Sequence, residues 1–190
     1  HQRLRRALVF KGGTALKKCY FGRYRFSEDL DFTALRRAPT GADLEMAIET
    51  VCREAESRAR QYAPIEIHSV RYQEKLPHPH GQEAFTIRAR FPWQREPLTK
   101  VMIEVSRDET VVLPYEELPI LQDYHEDVNG RIRVYSLSEV VLEKLRAILQ
   151  HTRKLHERDW SRSRARDYYD LWHILCQPGS SFDLPNAAVF

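Results

Sequence analysis

The sequence predicts an α+β protein: a mixed β-sheet flanked by helices, followed by a helical C-terminal part. Three observations carry this expectation. Three β-like runs, IEIHSVRY (65–72), AFTIRARF (84–91) and KVMIEVS (100–106), follow one another with Pro- and Gly-containing turns between them. Before them, apolar residues recur at helical spacing over 41–62, and after them two further helical patterns close the chain. A chain of 190 residues suffices for one domain with a core, or for that plus a small helical appendage. The expected division is an α/β core over 1–135 and a helical part over 136–190 that packs on it.

The elements follow in order. Leu8 to Phe10 is a short apolar run stopped by Gly12-Gly13, and Thr14 to Tyr20 reads as a helix start. Leu30 to Thr33 reads as a strand. In the 41–62 helix, Leu44, Ala47, Ile48, Val51, Cys52, Ala55, Ala59 and Tyr62 keep one apolar stripe over several turns. The three runs after Pro64 are expected to extend the sheet in antiparallel fashion. RIRVYS (131–136) then leads into a helix with Ser136 and Glu139 at capping-box spacing, running through Leu137, Val141, Leu145 and Ile148. The charged stretch 151–163 is the nearest thing to a linker, PHPHG (77–81) reads as an exposed loop, and a last helix spans about Ala165 to Cys176.

Composition narrows the function classes. With 42% hydrophobic and 30% charged residues the chain reads as an ordinary globular protein. No stretch approaches the roughly 18 uninterrupted apolar residues of a membrane span, and HQRLRRALVF is too short an apolar run for a secretory signal. A cytoplasmic location without membrane partners is expected. Cys19, Cys52 and Cys176 lie far apart and form no Cys-x-x-Cys pair, which supports neither a disulfide framework nor a zinc site. The net charge is +3, unevenly spread: residues 1–27 hold eight Lys or Arg and no acid, and 146–166 hold seven basic residues against Glu157 and Asp159. Two basic ends around a more acidic middle suit a polyanion such as a nucleoside triphosphate or RNA, or are simply solvated faces.

The chemistry gathers around KGGTAL (11–16) and RFSEDLDF (25–32). Successive side chains of a strand point to opposite faces, so Asp29 and Asp31 share one face while Leu30 and Phe32 point to the core. Adjacent carboxylates repel unless a cation neutralises them. Hard oxygen donors at this spacing suit Mg²⁺, or Mn²⁺ in its place, which binds one or two carboxylates and completes its shell with water and phosphate. The alternative is an acidic turn with both Asp solvated. A Gly-Gly turn at a helix start lets the backbone approach an anion, with Thr14 offering its hydroxyl; the alternative is a plain strand-to-helix turn capped by Thr14. The Walker pattern is absent, so a different phosphate-handling fold is required. His78 and His80 look like a metal pair but lack neighbouring ligands and read as loop residues. Arg23, Tyr24 and Arg25 either stack on a base or contact phosphate, or form the polar surface of a turn.

KGGTAL followed by RFSEDLDF resembles the first motif of the AbiEii/AbiGii and MenT nucleotidyltransferase toxins, members of the polymerase-β-like nucleotidyltransferase superfamily. Gly13-Thr14 stands where many relatives carry Gly-Ser, and the interval to the Asp-x-Asp is longer than in the superfamily's commonest pattern. VMIEVS (101–106) is similar to the strand bearing the third acid, LSEVVLEKLRAIL (137–149) to the helix bearing a lysine, and RARDYYDLWHIL (164–175) to the last motif. The resemblance implies the nucleotidyltransferase fold, with the C-terminal part completing the active site. It implies Asp29, Asp31 and Glu104 as metal ligands and catalytic residues, Gly12, Gly13, Thr14 and Lys144 as nucleotide ligands, and Lys144 and Asp167 as further catalytic groups.

The residues can answer to those roles. Glu104, between Ile103 and Val105, reaches the metal face if its strand lies parallel to the Asp-x-Asp edge; otherwise it is an outward Glu on a half-exposed sheet. Lys144 lies about 60° round the helix from Val141, at the edge of the core. Its alternative is an ordinary surface lysine. Asp167 falls at the edge of an apolar arc made of Tyr168, Leu171, Ile174 and Leu175, and its alternative role is an ion pair with Arg164; Asp170 reads as more exposed. By resemblance the protein transfers a nucleoside monophosphate from an NTP to RNA, the tRNA 3′ end being the expected acceptor. It would act as the toxin of a toxin–antitoxin or phage-defence system with a cognate antitoxin. Two rivals are a nucleotidyltransferase for a small hydroxylated acceptor and a non-catalytic nucleotide- or RNA-binding module.

Overall fold

Seven strands form one mixed sheet in the order β3-β4-β5-β2-β1-β7-β6. The computed structural model describes residues 1–72, 82–97, 99–122, 130–158 and 163–176, so His78 and His80 lie outside the described residues. In chain order the elements are α1 (Gln2–Ala7), β1 (Leu8–Lys11), α2 (Gly12–Ala15), a π-helical turn (Leu16–Phe21), β2 (Leu30–Ala34) and α3 (Gly41–Ala59). Then come β3 (Glu66–Tyr72), β4 (Glu83–Arg90), β5 (Thr99–Ser106), β6 (Glu116–Pro119), β7 (Arg131–Val134), α4 (Leu137–Arg158) and α5 (Ala165–Cys176). The α+β class expected from the sequence is the one observed. Among the described residues no helix is long and apolar enough to cross a membrane.

Strand pairing explains where the chemistry sits. β3, β4 and β5 form an antiparallel meander, as their β-branched and aromatic residues predict. The meander joins the sheet through a parallel pairing of β5 with β2, while β1 runs antiparallel to β2 and parallel to β7. Because a parallel neighbour needs a crossover, α3 carries the chain from β2 back across the sheet. Its Leu44, Ala47, Ile48 and Cys52 are buried with Leu4, Leu8, Phe85 and Val105 in one cluster. Each such Leu or Ile removed from water stabilises by about 2 kcal/mol. Phe10, Ala15, Cys19 and Val134 form a second cluster, and Phe32 packs against both, its ring stacked on Phe10 at 5.0 Å.

Polar side chains fasten the edges of these layers. Glu83 Oε2 accepts from Gly41 N at 3.0 Å and Arg71 Nη2 at 2.8 Å, and its Oε1 accepts from Arg107 Nε at 2.7 Å. Gly41 has φ +53°, a left-handed conformation that favours glycine. One carboxylate thereby ties the start of α3 to β3 and to the chain leaving β5.

The chain divides into two compact units: His1–Thr110 with Glu117–Val134, and Val111–Glu116 with Tyr135–Phe190. In the second unit, Glu139 N donates to Ser136 Oγ at 3.3 Å, the half of the capping box that sequence spacing foretells. The Glu139 carboxylate accepts instead from Val112 N at 3.0 Å and Leu113 N at 2.7 Å, clasping the 111–116 segment. The linker expected over 151–163 is corrected: 151–158 continues α4, supported by an Arg153–Glu157 pair at 2.7 Å one turn apart. α1 and β6 have no counterpart in the sequence reading, both being too short to show a period.

Candidate active site

The first unit assembles its site around two glycines. Lys11 ends β1 in extended conformation, and Gly12 turns the chain into α2 with φ +76°. A Cβ on Gly12 would stand 2.4 Å from Asp31 Oδ2, so glycine is required there both for its backbone and for the approach of that carboxylate. At Gly13 a Cβ would stand 2.6 Å from Arg25 Nη2 and 3.0 Å from Ser27 Oγ. The space at Gly12 is thus occupied by a side chain of β2, and that at Gly13 by side chains of the segment before it. Thr14 is buried, and its hydroxyl hydrogen-bonds Ser27 Oγ at 2.9 Å. The alternative in which Thr14 caps the helix is corrected: the residue before the helix is Lys11.

Strand register then sets the acids. Asp31 lies opposite Lys11 on β1 and opposite Glu104 on β5, while Leu30 pairs with Ile103 and Phe32 with Val105. The period of two that sends Leu30 and Phe32 into the apolar layers puts Asp31 and Glu104 side by side on the other face. Glu104 Oε2 accepts from Gln82 Nε2 at 2.6 Å. Asp29 is exposed, one residue before β2 begins. Among the described residues no three His, Cys, Asp or Glu side chains are drawn together closely enough to hold a metal. Asp31 and Glu104 are adjacent, and the expected three-acid cluster is not preassembled. A buried lysine adds to this face: Lys11 pairs with Glu109, which also accepts from Thr33 Oγ1 at 3.4 Å.

The second unit holds its own charged cluster. Lys144 on α4 reaches α5, with Nζ 2.8 Å from Asp167 Oδ1 and 3.2 Å from Asp170 Oδ2. Asp167 Oδ2 also accepts from Arg164 Nη1 at 3.2 Å, the ion pair expected as its alternative role, while its other oxygen meets Lys144. Asp170 is 0% exposed, which corrects the expectation that it faces solvent. Tyr168 and Leu175 are exposed, so the buried arc of α5 is Asp170, Leu171, His173 and Ile174. Burial pulls the Lys144 ammonium down, but the hydrogen bond and charge of Asp167, with the charges of Glu143 and Asp170, outweigh it and raise its pKa above the ordinary lysine value.

The model of the family described as nucleotidyl transferase AbiEii toxin, type IV toxin–antitoxin system, matches residues 1–189. The chain belongs to the AbiEii family. It is similar to the solved structure of MenT4, a nucleotidyltransferase toxin from Mycobacterium tuberculosis H37Rv, at 27% identity and a TM-score of 0.47. That match covers 73% of this chain and 44% of MenT4, so the chain spans less than half of that relative's length. No curated protein matches it.

In this AbiEii chain, then, the expected residues fall into two groups: Gly12, Gly13, Thr14, Asp29, Asp31 and Glu104 in the first unit, Lys144 and Asp167 in the second. Lys11, Ser27, Gln82, Glu109 and Asp170 were not singled out by sequence reasoning as site residues. Ser27 had a visible signal, lying two residues before Asp29 in strand-like alternation. Lys11 and Glu109 show their connection only through register.

Proposed function

We propose that the protein is a nucleotidyltransferase that moves a nucleoside monophosphate from an NTP to a hydroxyl of RNA, the tRNA 3′ end being the expected acceptor. In the cell it would act as the toxin of a type IV toxin–antitoxin pair, countered by a cognate antitoxin. The observation that carries this reading is the lateral pairing of Asp31 with Glu104 across the central parallel strands, beside the glycine turn, in a chain of the AbiEii family.

The donor set fits a hard divalent ion. Asp31 and Glu104 are neighbouring carboxylates on one sheet face, and Asp29 is two residues away on the same segment. These three residues would hold Mg²⁺, or Mn²⁺, with substrate phosphate completing the shell. When bound, such an ion neutralises charge on the triphosphate and on the leaving group. The chain's own groups do the rest. Gly12 and Gly13 bring backbone to the triphosphate. In the second unit Lys144 is kept protonated by Asp167 and Asp170, and the resemblance assigns this cation to the triphosphate. Glu104 accepts the proton of the acceptor hydroxyl as that oxygen bonds to the α-phosphorus; the bond from phosphorus to the α–β bridging oxygen breaks, and pyrophosphate leaves.

The test is transfer of α-labelled NTPs, each in turn, to total RNA by wild type and by the Asp29→Asn and Asp31→Asn variants. Label should enter one RNA class with wild type and fall by about 10³-fold or more in either variant, about 4 kcal/mol of barrier. Equal labelling by the variants would overturn the carboxylate mechanism, and label entering a small hydroxylated molecule instead would overturn the RNA acceptor.

A further inference from the structure

The guanidinium of Arg25 lies against Gly13, and nothing in the backbone requires a glycine at that position. Among the described glycines, left-handed φ values occur at Gly12, Gly22 and Gly41, and Gly13 is not one of them. What a side chain at 13 would meet is Arg25, with Nη2 at 2.6 Å and Cζ at 3.1 Å from a built Cβ. The absence of a side chain at 13 is therefore explained by room for a guanidinium.

The segment that delivers Arg25 is held in three ways. Arg25 Nη1 donates to the Phe26 carbonyl at 3.3 Å, and its Cζ lies 5.7 Å from the centre of the Tyr24 ring. Tyr24 is itself stacked on Phe21 at 5.4 Å. Two residues on, Ser27 is fastened to Thr14. The same short strap then continues into Asp29 and Asp31. As a result the two glycines are bracketed by opposite charges: the Asp31 carboxylate at Gly12 and the Arg25 guanidinium at Gly13.

We propose that Arg25 is a nucleotide-binding residue that grips the terminal phosphates of the NTP over Gly13, next to the Asp31 carboxylate. This rests on the nucleotidyltransferase reading above. The chemistry is complementary, since a metal-bound triphosphate presents cation to a carboxylate and bare phosphate oxygens to a cation in the same few ångströms. Arg suits the second task because its planar fork meets two phosphate oxygens at once and it stays charged at every working pH. Lysine offers a single point charge in the same place.

The test compares affinities for an NTP and for its NMP, both with Mg²⁺, by calorimetry in wild type, Arg25→Ala, Arg25→Lys and Gly13→Ala. The NTP used is whichever of the four wild type binds most tightly. Losing a charge-assisted phosphate contact weakens binding by about 10- to 100-fold. Arg25→Ala should lose that factor for the NTP and keep wild-type affinity for the NMP, which lacks the terminal phosphates. Arg25→Lys should recover only part of it. Gly13→Ala keeps the charge but displaces the guanidinium, and should show the same NTP-selective loss; it carries the test if Arg25→Ala does not fold. Equal losses for NTP and NMP, or none for either, would show Arg25 to be only a latch for the turn and would overturn the assignment. Wild-type protein that bound no NTP would overturn the nucleotidyltransferase reading, and this one with it; wild-type binding unaffected by the variants would overturn this one alone.

Discussion

The two charged clusters differ in how far they are finished. In the first unit, Asp31 and Glu104 stand side by side with Asp29 exposed just before the strand, and negative charge is gathered without a complete cage. In the second, Lys144 is already bracketed by Asp167 and Asp170, with Arg164 behind Asp167. The second cluster is closed by its own lysine, whereas the first leaves Asp29 exposed ahead of the strand. A buried lysine left alone would give up its proton, so Lys144 stays charged only with its aspartates beside it.

The contrast is sharpest in stability. Removing one partner of a buried ion pair leaves an uncompensated charge, so Asp170→Ala should cost about 3 to 5 kcal/mol in urea unfolding. Asp31→Asn keeps the size of a half-buried side chain and should cost about 1 kcal/mol or less. Equal destabilisation by the two substitutions would erase the distinction between a finished and an unfinished cluster.

A smaller effect appears in pH dependence. The Lys144 pKa is raised in the folded protein, so the pair's contribution is fully present below the unfolded lysine value, about 10.4, and is lost as pH rises through the folded value. The stability difference between wild type and Lys144→Met should stay flat from pH 7 to about 10 and shrink above it. A difference that began to shrink near neutrality would mean that burial, not the aspartates, controls the lysine.

How much of this was legible in the sequence depends on the range of each interaction. The alternation Leu30-Asp31-Phe32 reads directly because a strand has a period of two, while Asp29 falls just before the strand, and α5 was bounded at about Ala165 and Cys176 by its own periodicity. Glu104 was readable only conditionally, since its place beside Asp31 depends on a parallel pairing across 73 residues that no local pattern reveals. Asp170 was misplaced because a helical wheel ranks residues by apolarity, giving the inner arc to Tyr168 and Leu175. The partner that draws Asp170 inward, Lys144, sits on a different helix. The polar stretch 151–158 resembled a linker for a related reason: its helix lacks a continuous apolar stripe and is supported by charge pairs such as Arg153–Glu157. Lys11 closes an otherwise apolar strand, LVFK, and only its register with Asp31 and its pairing with Glu109 connect it to the acids.

The smallest expected effect asks whether the backbone beside the first cluster is loose. Cys19 reports on this because it lies in the π-helical turn that follows the glycines, buried in the cluster with Phe10, Ala15 and Val134. Burial pushes its thiol up to about 11. At pH 8 its thiolate fraction is then about 10⁻³, and the reactive species is the thiolate. Cys176 is exposed and Cys52 buried. Treated with iodoacetamide at pH 8 and followed by intact mass, the native protein should gain one alkyl group quickly, at Cys176, and the other two only in denaturant. If Cys19 reacted as fast as Cys176, the turn beside Gly12 and Gly13 would be opening in the free protein, and ordering of backbone would have to accompany metal and nucleotide binding. Slow reaction at Cys19 leaves a rigid scaffold beside the acids, and the difference between the two clusters then lies in the placement of their side chains, not in backbone order.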